Sequence, residues 1–113
     1  MAKKLFIFLR EETGIWLLLG LVCILFADIL VAPASYLLSQ ANLDMDIQFL
    51  AWRSFGFGEL AKGNLALWNP HIYGGTPFFA GAQSALLYPP NWLHLIFSLP
   101  TAINLNIILH VYL

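Results

Sequence analysis

Two apolar stretches bracket a middle punctuated by prolines and glycines. The first begins at Ile15, runs to Ala27, is interrupted by Asp28 and resumes as far as about residue 38. The second occupies 93–113, with Pro100 inside it and polar interruptions at Asn104 and Asn106. Crossing a bilayer takes about 20 apolar residues, and 15–38 has that length. The pattern predicts an all-α membrane protein. It has a short cytoplasmic N-terminus over 1–14 and one complete transmembrane helix over 15–38. A structured extracytoplasmic loop with short interfacial helices follows over 39–92. An interfacial segment and the truncated start of a second transmembrane helix occupy 93–113. From Thr101 onward, helical rise gives about 20 Å against a hydrocarbon core of about 30 Å, so the chain reads as the N-terminal part of a larger membrane protein. One continuous span over 93–113, with Pro100 inside, is the alternative.

The first apolar run is longer than the core of a cleaved signal peptide, which favours an uncleaved anchor. Lys3, Lys4 and Arg10 precede it and few basic residues follow, which places the N-terminus in the cytoplasm and the loop outside. Asp28 is expensive inside lipid, so it is expected to line a polar path, to meet a further helix or to sit near the interface.

Composition agrees. Of 113 residues, 60% are hydrophobic and 10% charged, where soluble domains carry about a quarter charged residues. A net charge of -1 with five basic residues gives no basis for binding nucleic acid. The lone Cys23 lies in an apolar run and has neither a disulfide partner nor metal-ligand spacing.

The middle carries the candidate chemistry. Asp44 or Asp46 is placed to cap a helix running towards Lys62, although Gly56 and Gly58 each weaken such a helix by about 1 kcal/mol. On it Asp44 and Gln48 share a face, and Asp46 and Arg53 share roughly the opposite one. Phe49, Leu50, Trp52, Phe55, Phe57 and Leu60 make the segment apolar nearly all round, as a buried or interfacial helix would be. Trp52, Trp68 and Trp92 suit interfacial anchoring, with sugar stacking as the other use of an indole.

The Asp44-Met45-Asp46 pair admits three roles. If the segment is extended, both carboxylates point one way and can share a divalent cation, Mg or Mn. One ionised aspartate can instead take a proton from an acceptor hydroxyl. Helix capping and a salt bridge to Arg53 form the purely structural role. Further on, Gly63-Asn64 reads as a helix stop, and Asn69-Pro70 and Gly74-Gly75-Thr76-Pro77 read as defined turns. Trp68, Tyr73, Phe78 and Phe79 indicate that this loop folds against something. His71 has no partner at metal spacing, and Gln83 suits either a polar ligand or the backbone.

In order, Asp44, Gln48-Phe49, Trp52-Arg53, Gly63, Leu67-Trp68-Asn69-Pro70, Gly75-Thr76-Pro77-Phe78, Gln83 and Tyr88-Pro89 resemble the first outer loop of the bacterial YfhO-type membrane proteins. These are similar to the C-type, polyprenyl-phosphate-dependent glycosyltransferases. The resemblance covers about 44–110. It implies a multi-pass enzyme of the bacterial cytoplasmic membrane that moves a sugar from a polyprenyl-phosphate donor to a cell-surface glycan, glycopolymer or protein. By position, Asp44 matches the acidic residue that serves such enzymes as base or metal ligand, with Asp46 beside it. Gln48, Arg53, Trp68, Asn69 and Gln83 become candidate substrate residues. The expected partners are membrane lipid, the lipid-linked donor, and the rest of a parent protein or a membrane partner. The chain departs from the family in length, since the later loops that bind the lipid phosphate lie outside these 113 residues. Two other classes compete: a non-catalytic membrane assembly subunit, and part of a lipid-linked sugar transporter or flippase that works through Asp28.

Overall fold

A computed structural model describes the backbone of residues 2–113 and the side chains of residues 12–113. The side chains of Lys3, Lys4 and Arg10, on which the cytoplasmic assignment of 1–14 rests, lie outside the described residues. The fold is mostly helical: α1 (Ala2–Leu25), α2 (Ala27–Leu30), α3 (Leu50–Ala61) and α4 (Leu99–Tyr112). A π-helical stretch, Met45–Phe49, leads into α3, and 3-10 segments cover Phe79–Gly81 and Pro89–Leu95. A two-stranded antiparallel ladder joins β1 (Trp68–Asn69) to β2 (Thr76–Pro77), with Trp68 opposite Pro77 and Asn69 opposite Thr76.

The expected membrane-spanning helix over 15–38 does not form. Among the described residues, no helix is long and apolar enough to cross a membrane. The reason lies at both ends of α1. The helix takes in Lys3, Lys4, Arg10, Glu11 and Glu12, so its uncharged apolar run is confined to 15–25, about 16 Å at 1.5 Å per residue against a bilayer core of about 30 Å. Phe26 then leaves the helical region (φ -107°, ψ 21°), α2 lasts four residues, and Pro33 drives Ala32 away from helix. The truncated second span is corrected with it. Helix α4 has 14 residues, about 21 Å, and begins at Leu99 with Pro100 inside its first turn, where proline is tolerated.

Asn104 and Asn106, expected as polar interruptions of an apolar span, are buried in the protein. Asn104 works like a strand partner for an irregular segment. Its side-chain oxygen accepts from the Leu38 N–H (2.9 Å) and its amide donates to the Tyr36 carbonyl (2.8 Å). The Ser98 hydroxyl donates to the Ala34 carbonyl (2.9 Å), so the start of α4 holds 34–38 in place at two points.

The predicted helix towards Lys62 forms, and its stop is explicit. The Asn64 N–H donates to the Glu59 carbonyl and the Gly63 N–H to the Leu60 carbonyl, both at 3.0 Å, which is a Schellman ending. Gly63 has φ +84°, a left-handed value that glycine adopts without penalty. The start differs from expectation. Asp44 occupies the cap position with helical dihedrals and makes no side-chain cap hydrogen bond.

Behind α3 lies a small core of Phe57, Ala66, Phe78 and Leu86, with Trp52, Phe55, Leu60 and Phe79 packed around it. Phe55 and Phe78 meet edge to face with centroids 5.0 Å apart. Gly56, a liability for helix propensity, is what allows this packing. A Cβ there would lie 2.7 Å from Leu86 Cδ2 and 2.9 Å from Phe78 Cε1. The loop expected to fold against something folds against α3.

Candidate functional site

A cavity of about 500 Å3 opens beside this core, between α3, the 85–94 segment and α4. Met45, Phe49 and Arg53 reach it at intervals of four from the π-helical stretch and α3. Ile103, Asn106, Ile107 and His110 reach it from α4 at the i, i+3, i+4, i+7 spacing of one helix face. Tyr88, Asn91 and His94 supply the third wall. Most of the cavity surface is apolar, although six of its twelve lining residues carry polar groups.

The polar groups of this cavity are unusual in lacking partners. Among the described residues, Arg53 Nη1, His94 Nδ1 and both polar atoms of the Asn106 amide are buried without a hydrogen bond. Native interiors seldom leave such groups unpaired, because each orphan costs about 1–3 kcal/mol, and a charged one more. Burial lowers the Arg53 pKa from its ordinary value, and the guanidinium stays charged at any physiological pH. His94 is pushed down to about 4, first by burial and then by the positive charge of Arg53. It is therefore a neutral imidazole at neutral pH, resting against Phe57 with ring centroids 4.8 Å apart.

Tyr88 and His110 form the polar edge of the cavity. The Tyr88 hydroxyl lies 2.7 Å from His110 Nε2, and His110 Nδ1 lies 2.6 Å from the Asn106 carbonyl oxygen. Deeper structural polar groups are satisfied by contrast. The Asn91 amide donates to the Ala85 carbonyl (3.0 Å) and the Trp92 indole to the Leu86 carbonyl (3.0 Å). Trp92, expected as an interfacial anchor, thus spends its N–H inside the protein.

The sequence-predicted residues are dispersed rather than gathered. Arg53 alone among them lines the large cavity. Asp44, Asp46 and Gln48 are exposed on the π-helical stretch, while Met45 and Phe49 between them face inward. Trp68 borders a second depression of about 430 Å3 with Glu59 and His71, and Gln83 a third of about 180 Å3 with Trp52 and Tyr73. Asn69 is buried, and its side-chain oxygen accepts from the His71 N–H at 2.9 Å, a turn-forming role. Gly75 (φ +120°) holds the Trp68 indole in place, since a Cβ there would lie 2.6 Å from Trp68 Nε1.

The shared-cation geometry required an extended segment at 44–46. The segment is helical, and helical residues two apart do not share a face. Among the described residues, no group of three or more His, Cys, Asp or Glu is placed to hold a metal ion. Nor does Asp46 pair with Arg53; among the described residues the salt bridge is Lys62–Glu59 at 2.7 Å. Asp28 is exposed, lies outside the cavity and accepts from the Ile29 N–H (2.9 Å).

Sequence reasoning missed His94, Asn106, Tyr88 and His110. The helix-face spacing of 103, 106, 107 and 110 was the available signal, and it was hidden by treating 101–113 as apolar span. No family model, curated protein or solved structure matches the chain.

Proposed function

We propose that the chain binds the phosphate of a long-chain amphiphile, of the polyprenyl-phosphate class of sugar donor. We further propose that it is part of a membrane glycosyltransferase acting on a cell-surface glycan, glycopolymer or protein. The observation that carries this reading is the buried, unpartnered Arg53 Nη1 in a cavity whose surface is mostly apolar. A guanidinium held this way is stabilised by an anion that accepts its hydrogen bonds, and phosphate suits its planar fork of donors. The Asn106 amide donates to a second phosphate oxygen, and neutral His94 offers one more donor without adding competing charge. The apolar walls receive the chain of the same ligand, at about 0.8 kcal/mol per buried methylene.

The test is calorimetric titration of the purified chain with dodecyl phosphate and with dodecanol. Dodecyl phosphate is expected to bind at least ~10-fold more tightly, the least that one charge-assisted hydrogen bond contributes. Equal affinity of the two would sink the phosphate reading.

A second reading has its own support. Helix α1 leaves Trp16, Leu17, Leu21, Ile24 and Leu25 more than half exposed, which fits the surface of an assembly subunit. Dodecyl phosphate separates the two readings, because a subunit that only packs on a partner has no use for Arg53 in the cavity. For the transporter reading, Asp28 lies away from the cavity and supplies no supporting observation.

A further inference from the structure

We infer that Tyr88 and His110 are a proton-relay pair that acts as the general base for a ligand hydroxyl at the edge of the cavity. The tautomer follows from the partners. A carbonyl oxygen only accepts hydrogen bonds, so the 2.6 Å contact between His110 Nδ1 and the Asn106 carbonyl puts a proton on Nδ1. Nε2 of the neutral ring then keeps its lone pair, and the Tyr88 hydroxyl donates to it across 2.7 Å. With its proton committed to the imidazole, the Tyr88 oxygen turns its own lone pairs outward. It lines the same cavity as Arg53 and is 43% exposed, so a ligand hydroxyl has access to it.

Orienter, imidazole and hydroxyl in series is the arrangement by which a weakly reactive hydroxyl is activated, here with a backbone carbonyl as the orienter. When His110 takes up the second proton, its Nδ1–H bond to the Asn106 carbonyl becomes charge-assisted and strengthens. The backbone of α4 thus stabilises the product of proton transfer.

What the hydroxyl belongs to rests on the sugar-transfer reading above. In that reading the acceptor hydroxyl gives its proton to Tyr88 Oη while the Tyr88 proton moves to His110 Nε2. The acceptor oxygen forms a bond to the anomeric carbon of the donor sugar. The bond from that carbon to the phosphate oxygen breaks, and its electron pair leaves with the phosphate, beside Arg53. The imidazolium afterwards returns its proton to solvent. The relay takes the role for which the sequence pointed to Asp44, a residue that does not line the cavity.

The relay is tested without any turnover assay by the reactivity of Tyr88 towards an arylsulfonyl fluoride. There Oη bonds to sulfur, fluoride leaves, and His110 receives the phenol proton. Rates for individual tyrosines are read by mass spectrometry on the purified chain. Tyr73 is the internal control, being 97% exposed. Tyr88 is expected to react at least ~10-fold faster than Tyr73 despite its lower exposure, a margin set below the roughly 100-fold lower end of general-base assistance. His110→Gln is expected to bring Tyr88 down to the Tyr73 rate and leave Tyr73 unchanged. A Tyr88 that reacts no faster than Tyr73, or one indifferent to His110→Gln, would overturn the relay. Nitrogen-15 NMR of the unmodified chain adds a measurement that needs no variant: His110 protonated at Nδ1 supports the relay, and protonation at Nε2 overturns it. Dodecyl phosphate keeps the two proposals apart. Fast Tyr88 labelling that dodecyl phosphate does not slow retains the relay and removes the phosphate site. Slow labelling with Arg53-dependent binding of dodecyl phosphate does the reverse.

Discussion

The core and the cavity that α3 helps to form are built to different ends. In the core Phe57, Ala66, Phe78 and Leu86 pack closely enough that a methyl group on Gly56 has no room. The turns behind that core are closed by hydrogen bonds, such as His71 N–H to the Asn69 side chain and Phe78 N–H to the Leu67 carbonyl. In the cavity, which adjoins that core where Phe57 meets His94, four buried polar atoms of Arg53, His94 and Asn106 have no partner among the described residues. A chain that bonds both polar atoms of the Asn104 amide, and one each of Asn69 and Asn91, does not lack the means to satisfy Asn106. The difference teaches that the cavity side is organised for something that arrives, and that the core side holds it in shape.

Breaking the core side should produce the largest effect. Phe57→Ala removes a ring that is 3% exposed and is expected to lower unfolding free energy by about 3–5 kcal/mol in denaturant titrations. Next comes Gly75→Ala, which forces a Cβ against the Trp68 indole at a backbone φ of +120°. A loss of about 2–4 kcal/mol is expected by the same titration, from overpacking and backbone strain together.

The pH dependence sharpens the comparison from the cavity side. His94 titrates near 4 in the folded chain against about 6.5 unfolded, so between those values the unfolded state binds more protons. Stability should then be fully present above about pH 6.5 and fall as the pH drops towards 4. Allowing for the half-exposure of the ring, the loss is on the order of 1–2 kcal/mol. In His94→Gln, unfolding measured across that range should lose this slope. An unchanged slope would assign the dependence to other groups.

Much of the loop was legible, because its signals are local. Gly63-Asn64 announced the end of α3, Asn69-Pro70 and Gly74–Pro77 announced the turns that flank the ladder, and Pro100 announced the start of α4 to within two residues. Of the aromatics in 68–79, Phe78 and Phe79 pack on the core, while Trp68 and Tyr73 are exposed. The failures have two physical causes. Hydropathy counts apolar residues without asking where a helix begins, and α1 begins among charges and ends at Leu25, so the run of 15–38 is never one helix. The site joins 45–53 to 88–94 and 103–111, pairings far apart in sequence that periodicity does not encode. Arg53 became a candidate through the family resemblance, and it is the one candidate that the fold brings to the cavity. The aspartates were singled out on type, and the helical twist at 44–46 leaves them outside it.

Arg53→Met tests the central claim most directly, because stability and binding should move in opposite directions. Replacing a partly buried guanidinium whose Nη1 is unpaired by an apolar chain of similar length is expected to stabilise the folded chain by about 1 kcal/mol, the smallest stability change in the series. The same variant should lose the preference for dodecyl phosphate over dodecanol. A more stable chain without phosphate affinity is the result this account predicts. A destabilised variant that still prefers dodecyl phosphate would show that Arg53 serves the packing of the fold and that the cavity is not a phosphate site.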